Sequence, residues 1–142
     1  AQLKIEIELL RYPDYMCKGA RQLDYQEEIK AISGYIERNN VVGDMAIKQE
    51  KNTLLLFNTK AHGKLLHGYI TKECPNRPIY FINGDTSKDK REEIRVQMEK
   101  DDNAILVASY GTLEEIIRWN ISLKDRIIIM IVGLIIKSIK DR

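Results

Sequence analysis

Cysteine is almost absent from this 142-residue chain: Cys17 and Cys74 lie far apart and outside any Cys-x-x-Cys pair, which excludes a disulfide framework and a zinc knuckle. Histidine is as scarce. His62 and His67 stand five apart, so they do not share the helical face that a metal-binding pair requires. Long apolar runs are missing too. The longest, residues 127–136, falls short of the roughly 18 residues of a membrane span. No charged-then-apolar leader opens the chain, so the expected protein is soluble, cytoplasmic and without a membrane partner. Nor does the sequence hold a Gly-x-x-x-x-Gly-Lys-Ser/Thr loop, an Asp-Glu-x-His or Asp-Glu-x-Asp box, or a Gly-x-Ser-x-Gly elbow. Phosphate cleavage by this chain alone and nucleophilic hydrolysis are both unsupported. No catalytic residue or metal ligand is assigned, and no cofactor is expected on the chain by itself.

What is present is globular in kind, with 44% hydrophobic and 31% charged residues at a length that suits one domain spanning residues 1–142. The net charge of +2 is uneven. Residues 1–50 carry seven Lys/Arg against nine Asp/Glu, and the remainder sixteen against twelve. That surplus suits a phosphate-rich partner without demanding one, because a solvated mixed surface has the same composition.

Leu3, Ile5, Ile7 and Leu9 alternate with polar residues, the period of two of a half-buried strand over residues 3–10. Tyr25, Ile29, Ile32 and Ile36 then follow helical spacing, predicting a helix over 24–38 that Asn39 and Asn40 break. A short second helix runs from Val42 to about Glu50. From there strands and helices alternate. The expected strands are 53–57, 79–82, 104–108 and 127–132. Helices carry Leu65, Leu66, Tyr69 and Ile70, then Ile94 and Met98, then residues 113–119, with a last helix over 134–140. Apolar strands alternating with helices predict an α/β fold, a mostly parallel sheet of about five strands with helices on both faces.

In such sheets ligands sit beyond the carboxyl ends of the strands, which directs attention to three loops. The first, Asn58, Thr59, Lys60, Ala61 and His62, leads into a helix whose free N–H groups and basic side chains suit phosphate. A plain capped helix reads the same way. In the second, Asn83 to Ser87, Gly84 allows a backbone conformation or close approach that a side chain would block, and Asp85 and Thr86 complete the turn. Thr86 or Ser87 can cap the helix that follows. The third, Ser109, Tyr110, Gly111 and Thr112, is a compact donor cluster of the kind that grips a nucleic-acid backbone, or an ordinary tight turn.

Residues 52–64 (NTLLLFNTKAHGK), 81–86 (FINGDT) and 104–112 (AILVASYGT), with 25–29 (YQEEI) and 37–40 (ERNN) before them, resemble the second RecA-like domain of superfamily 2 helicases, most closely phage recombination helicases of the UvsW type. The resemblance spans roughly residues 3–112. It implies a RecA-like fold in which Asn58 to His62 correspond to motif IV and Ser109 to Thr112 open motif V, both lining the nucleic-acid track, with Gly84, Asp85 and Thr86 beside it. The implied function is the DNA-binding second lobe of an ATP-dependent helicase acting on single-stranded or branched DNA. ATP and magnesium would be held only with the missing first lobe, in host cytoplasm if the protein is phage-encoded.

The resemblance ends after Thr112. Relatives continue motif V with a small polar pair and Gly, whereas this chain has 113–119 (LEEIIRW). Their Gln-x-x-Gly-Arg-x-x-Arg element gives way to 136–142 (IKSIKDR), so no arginine finger is assigned. A free-standing degenerate domain acting by protein interaction is the alternative. Leu134, Ile135, Ile136 and Ile139 need a covering surface, which predicts a homo-oligomer formed through residues 127–140.

Overall fold

The computed structural model describes residues 36–119 with Glu27, and the backbone of residues 126–130. Chain contacts divide the molecule into two compact units, residues 1–38 with 132–142, and residues 39–131. The expected strand over 3–10, most of the helix expected over 24–38, Cys17, the helix over 134–140 and the side chains of the oligomer surface at 127–140 lie outside the described residues.

In chain order the elements are α1 (Ile36–Lys48), β1 (Asn52–Phe57), α2 (Lys60–Glu73), β2 (Ile79–Ile82), α3 (Lys88–Lys100), β3 (Ile105–Ser109), a single 3₁₀ turn (Tyr110–Thr112), α4 (Leu113–Ile117) and β4 (Arg126–Met130). The four strands form one sheet in the order β2-β3-β1-β4. Every pairing is parallel: Thr53 lies opposite Ile105 and Phe57 opposite Ser109, Ile79 also faces Ile105, and Asn52 meets Arg126. All six residues of β1 are buried, as expected of a central strand covered on both faces.

The two crossovers around β2 run in opposite directions across the sheet. Right-handed connections therefore send α2 to one face and α3 to the other. Packing agrees with this. Leu54, Leu56, Ile82, Leu106 and Ala108 join Ile94 and Met98 of α3, Ile116 of α4 and Trp119 in one apolar layer. On the opposite face Phe57 stacks on Phe81 at 5.3 Å and His67 of α2 tilts against Phe81. Gly63 of α2 lies so close that a Cβ there would come within 2.5 Å of the Phe57 ring.

The amino end of the sheet is tied by polar side chains. Asn52 donates to the Asp101 carbonyl and accepts from the Ala104 N–H, both at 2.9 Å. Tyr80 donates to the Asp101 carboxylate at 2.7 Å. The Arg77 guanidinium donates to the carbonyls of Ile47, Lys51 and Asn103. With that end closed, the loops at the carboxyl ends of the strands remain for other work.

Three expectations need correction. Asn39 and Asn40 do not break a helix, because α1 runs through them to Lys48. Asn costs a helix only a fraction of a kcal/mol, and Asn39 is buried with its side chain against His62 at 3.0 Å. The helix expected over 113–119 ends at Ile117, and Trp119 is buried beyond it. The third strand starts one residue later than expected because the Ala104 N–H is taken by Asn52.

Candidate functional site

The three loops follow β1, β2 and β3, which are neighbours in a parallel sheet, so all three open on one rim at the carboxyl ends of the strands. Each is built by its own short-range bonding.

In the first loop, Thr59 takes the extended conformation of an N-cap, and its Oγ1 accepts from the His62 N–H at 3.3 Å. Asn58, Thr59 and Lys60 are exposed. His62 turns inward instead: it is 3% exposed and its Nε2 pairs with Asn39 Oδ1 at 3.0 Å. Of the residues read from this loop, His62 therefore braces the start of α2 against α1 from below the rim.

The second loop is a closed turn. Asn83 Oδ1 accepts from the Asp85 N–H at 2.9 Å, Asn83 N–H donates to Thr86 Oγ1 at 3.0 Å, and Thr86 N–H returns to the Asn83 carbonyl at 3.1 Å. Ser87, not Thr86, caps α3 by accepting from the Lys90 N–H. Gly84 does not need a left-handed conformation, since its φ is not positive, and a Cβ there would meet no protein atom within 4 Å. What Gly84 leaves is open space over the turn.

Arg91, on the first turns of α3, locks this loop from beneath. Its Nε donates to the Thr86 carbonyl at 3.0 Å, and Nη2 donates to the carbonyls of Asn83 and Gly84 at 3.1 and 3.3 Å. Nη1 reaches Glu115 of α4 at 2.6 Å. One guanidinium thus fixes the turn after β2 to the helix that follows the third loop, using the planar fork that lysine lacks. In the sequence Arg91 stands out only as part of a basic run.

In the third loop, Thr112 is 4% exposed and its Oγ1 donates to the Ser109 carbonyl at 2.8 Å. Its hydroxyl shapes the turn. Gly111 is exposed, a Cβ there would meet nothing within 4 Å, and Tyr110 packs partly against the apolar layer. The divergent segment after Thr112 still folds into the core, since α4 buries Ile116 and packs Leu113 on the same layer.

The first and second loops are joined across the end of β3. Lys60 Nζ lies 2.7 Å from Asp85 Oδ2, and this ammonium holds the Asp85 carboxyl below its usual range. Beside the third loop, an open hollow of about 460 Å³ is lined by Glu92, Arg95, Gly111, Glu114, Arg118 and Trp119. Its charges are matched to one another. Arg95 pairs with Glu92 and Glu99, and Arg118 with Glu114. Among the described residues no three His, Cys, Asp or Glu side chains come together as a metal ion would require. No described helix is long and apolar enough to cross a membrane.

No family model matches the chain. Over 113 residues, 78% of this chain, it is 34% identical to the ATP-dependent DNA helicase uvsW of Enterobacteria phage T4, of which it covers 22%. The crystal structure of T4 UvsW superposes with a TM-score of 0.66 at 26% identity, covering 85% of this chain and 30% of that one. The chain therefore spans less than a third of the length of either relative. Its sheet and helices are RecA-like.

Proposed function

We propose that this chain, which carries a UvsW-like helicase domain, works as the nucleic-acid-binding second lobe of an ATP-dependent superfamily 2 DNA helicase. The observation that carries the reading is the shared rim. Loops from three adjacent parallel strands present Asn58, Thr59, Lys60, Gly84, Asp85, Ser109 and Gly111 side by side, with the N-terminal N–H groups of α2 among them. The hydroxyls, the Lys60 ammonium and the backbone N–H groups of this rim, Asp85 excepted, grip phosphates without reading bases, so binding is expected to be independent of sequence and to reach single-stranded or branched DNA. His62, Thr112 and Arg91 support the rim from inside. ATP hydrolysis would belong to an assembly with a first lobe that brings a phosphate loop and magnesium.

The test is fluorescence anisotropy of labelled oligothymidine against the full chain over a salt series. Affinity is expected to fall as salt rises, with a logarithmic slope of about −0.7 for each phosphate neutralised. Lys60→Ala should weaken binding and flatten that slope. Lys100→Ala, at the other end of α3, should do neither. Binding indifferent to salt and to Lys60 would reject the reading in favour of a module acting through protein contacts.

A further inference from the structure

We infer that Asp85 is a built-in competitor for the DNA phosphate: its carboxylate occupies the Lys60 ammonium on the rim, and binding must displace it. This inference rests on the rim being the nucleic-acid site, and adds how its affinity is set.

The two partners differ in freedom. Asp85 sits in a turn whose every neighbour is held. Its own N–H donates to Asn83 Oδ1, and Arg91 takes the carbonyls of Asn83, Gly84 and Thr86. Lys60 is a flexible four-carbon stem with three donors, on the first turn of α2. The backbone that carries Asp85 is therefore fixed, its carboxylate swings on two side-chain bonds only, and the longer Lys60 stem reaches across to it. At 2.7 Å the contact has the length of a charge-assisted hydrogen bond, the same contact a phosphate oxygen would make. The side chains are 56% and 78% exposed, so a strand laid over the rim reaches this ammonium without opening the fold. Because an exposed pair is weak, the competition tempers binding without abolishing it. Neither partner is needed for the core, as both lie outside the buried layer.

The opposite role is also physical. In it Asp85 aims Lys60 at the phosphate, and the two roles give opposite signs on removal of the charge. As a competitor, Asp85→Asn frees Lys60. Affinity for oligothymidine at low salt should rise about two- to five-fold, the range of an exposed ion pair. The salt slope should steepen by up to about 0.7, because no displaced carboxylate then recovers a counterion when the strand binds. The same change in a Lys60→Ala background should leave affinity and slope where Lys60→Ala alone puts them.

Three results would overturn the inference while leaving the rim intact: Asp85→Asn weakens binding, it has no effect, or its gain persists without Lys60, which would mark a general effect of charge. If the unmodified chain binds no oligothymidine at any salt, the reading of the rim fails first and the competitor falls with it. Far-UV circular dichroism of each variant checks that the fold is unchanged.

Discussion

Gly63 and Gly68 lie five residues apart on α2, and the same substitution should have opposite effects at the two positions. A methyl group at Gly63 would lie 2.5 to 2.6 Å from three atoms of the Phe57 ring. Carbon atoms normally stay about 3.5–4.0 Å apart, so ring and helix must separate by roughly 1 Å. The ring has nowhere to go. Phe57 is 1% exposed and stacked on Phe81, in the layer between sheet and helix. Overpacking of a close-fitted core costs about 1–3 kcal/mol, and the upper end applies where the neighbour cannot yield. Against this stands the gain of about 1 kcal/mol from replacing glycine inside a helix. Gly63→Ala should therefore destabilise by about 2 kcal/mol. At Gly68 nothing lies within 4 Å, so only the helix term remains, and Gly68→Ala should stabilise by about 0.5–1 kcal/mol. Urea unfolding followed by circular dichroism separates them. With a slope of about 1.5 kcal/mol per molar, the midpoints should differ by roughly 2 M. If Gly63→Ala proves as stable as Gly68→Ala, the close seating of α2 on β1, and with it the placement of the first loop, is wrong.

Asn52→Ala removes both a donor to the Asp101 carbonyl and the buried acceptor of the Ala104 N–H, and should cost about 2–3 kcal/mol in the same unfolding assay. Asn52→Asp should not rescue it, since a carboxylate has no hydrogen to donate to that carbonyl. Burial, then the bond to Asp101, pushes the Tyr80 phenol up to about 12. A raised folded value favours the neutral phenol, so its contribution is complete below about pH 10 and is lost as pH rises through about 12. Tyr80→Phe should remove one late-titrating group from the phenolate absorbance curve and flatten the alkaline loss of stability.

The strands were legible because residues 53–57, 79–82 and 104–108 are short apolar runs bounded by turn residues, and the sheet realises each to within a residue. The loops followed from the strands. What escaped was carried by partners distant in sequence. Asn39 reads locally as a helix breaker, and His62, 23 residues on, gives its side chain a reason to be buried in α1. Arg91 and Glu115 are 24 residues apart, so no helical spacing could join them. Asn52 reads locally as a turn residue between helix and strand, yet it closes the amino end of the sheet through residues 49 and 52 positions away. Gly84 misled in the other direction. Glycine after a strand suggests a left-handed turn, but the bonds of Asn83 and the grip of Arg91 build this one without it.

Amide-shift mapping by NMR, with oligothymidine added to the full chain, tests the shared rim most directly. The account predicts that shifts concentrate at 59–62, 84–86 and 109–112, which are scattered in sequence but gathered at the carboxyl ends of β1, β2 and β3. The amino end of the sheet, around Arg77, Asp101 and Asn103, should stay silent. Shifts centred on that amino end, or on the outer faces of α1 and α3 with the three loops unmoved, would contradict it.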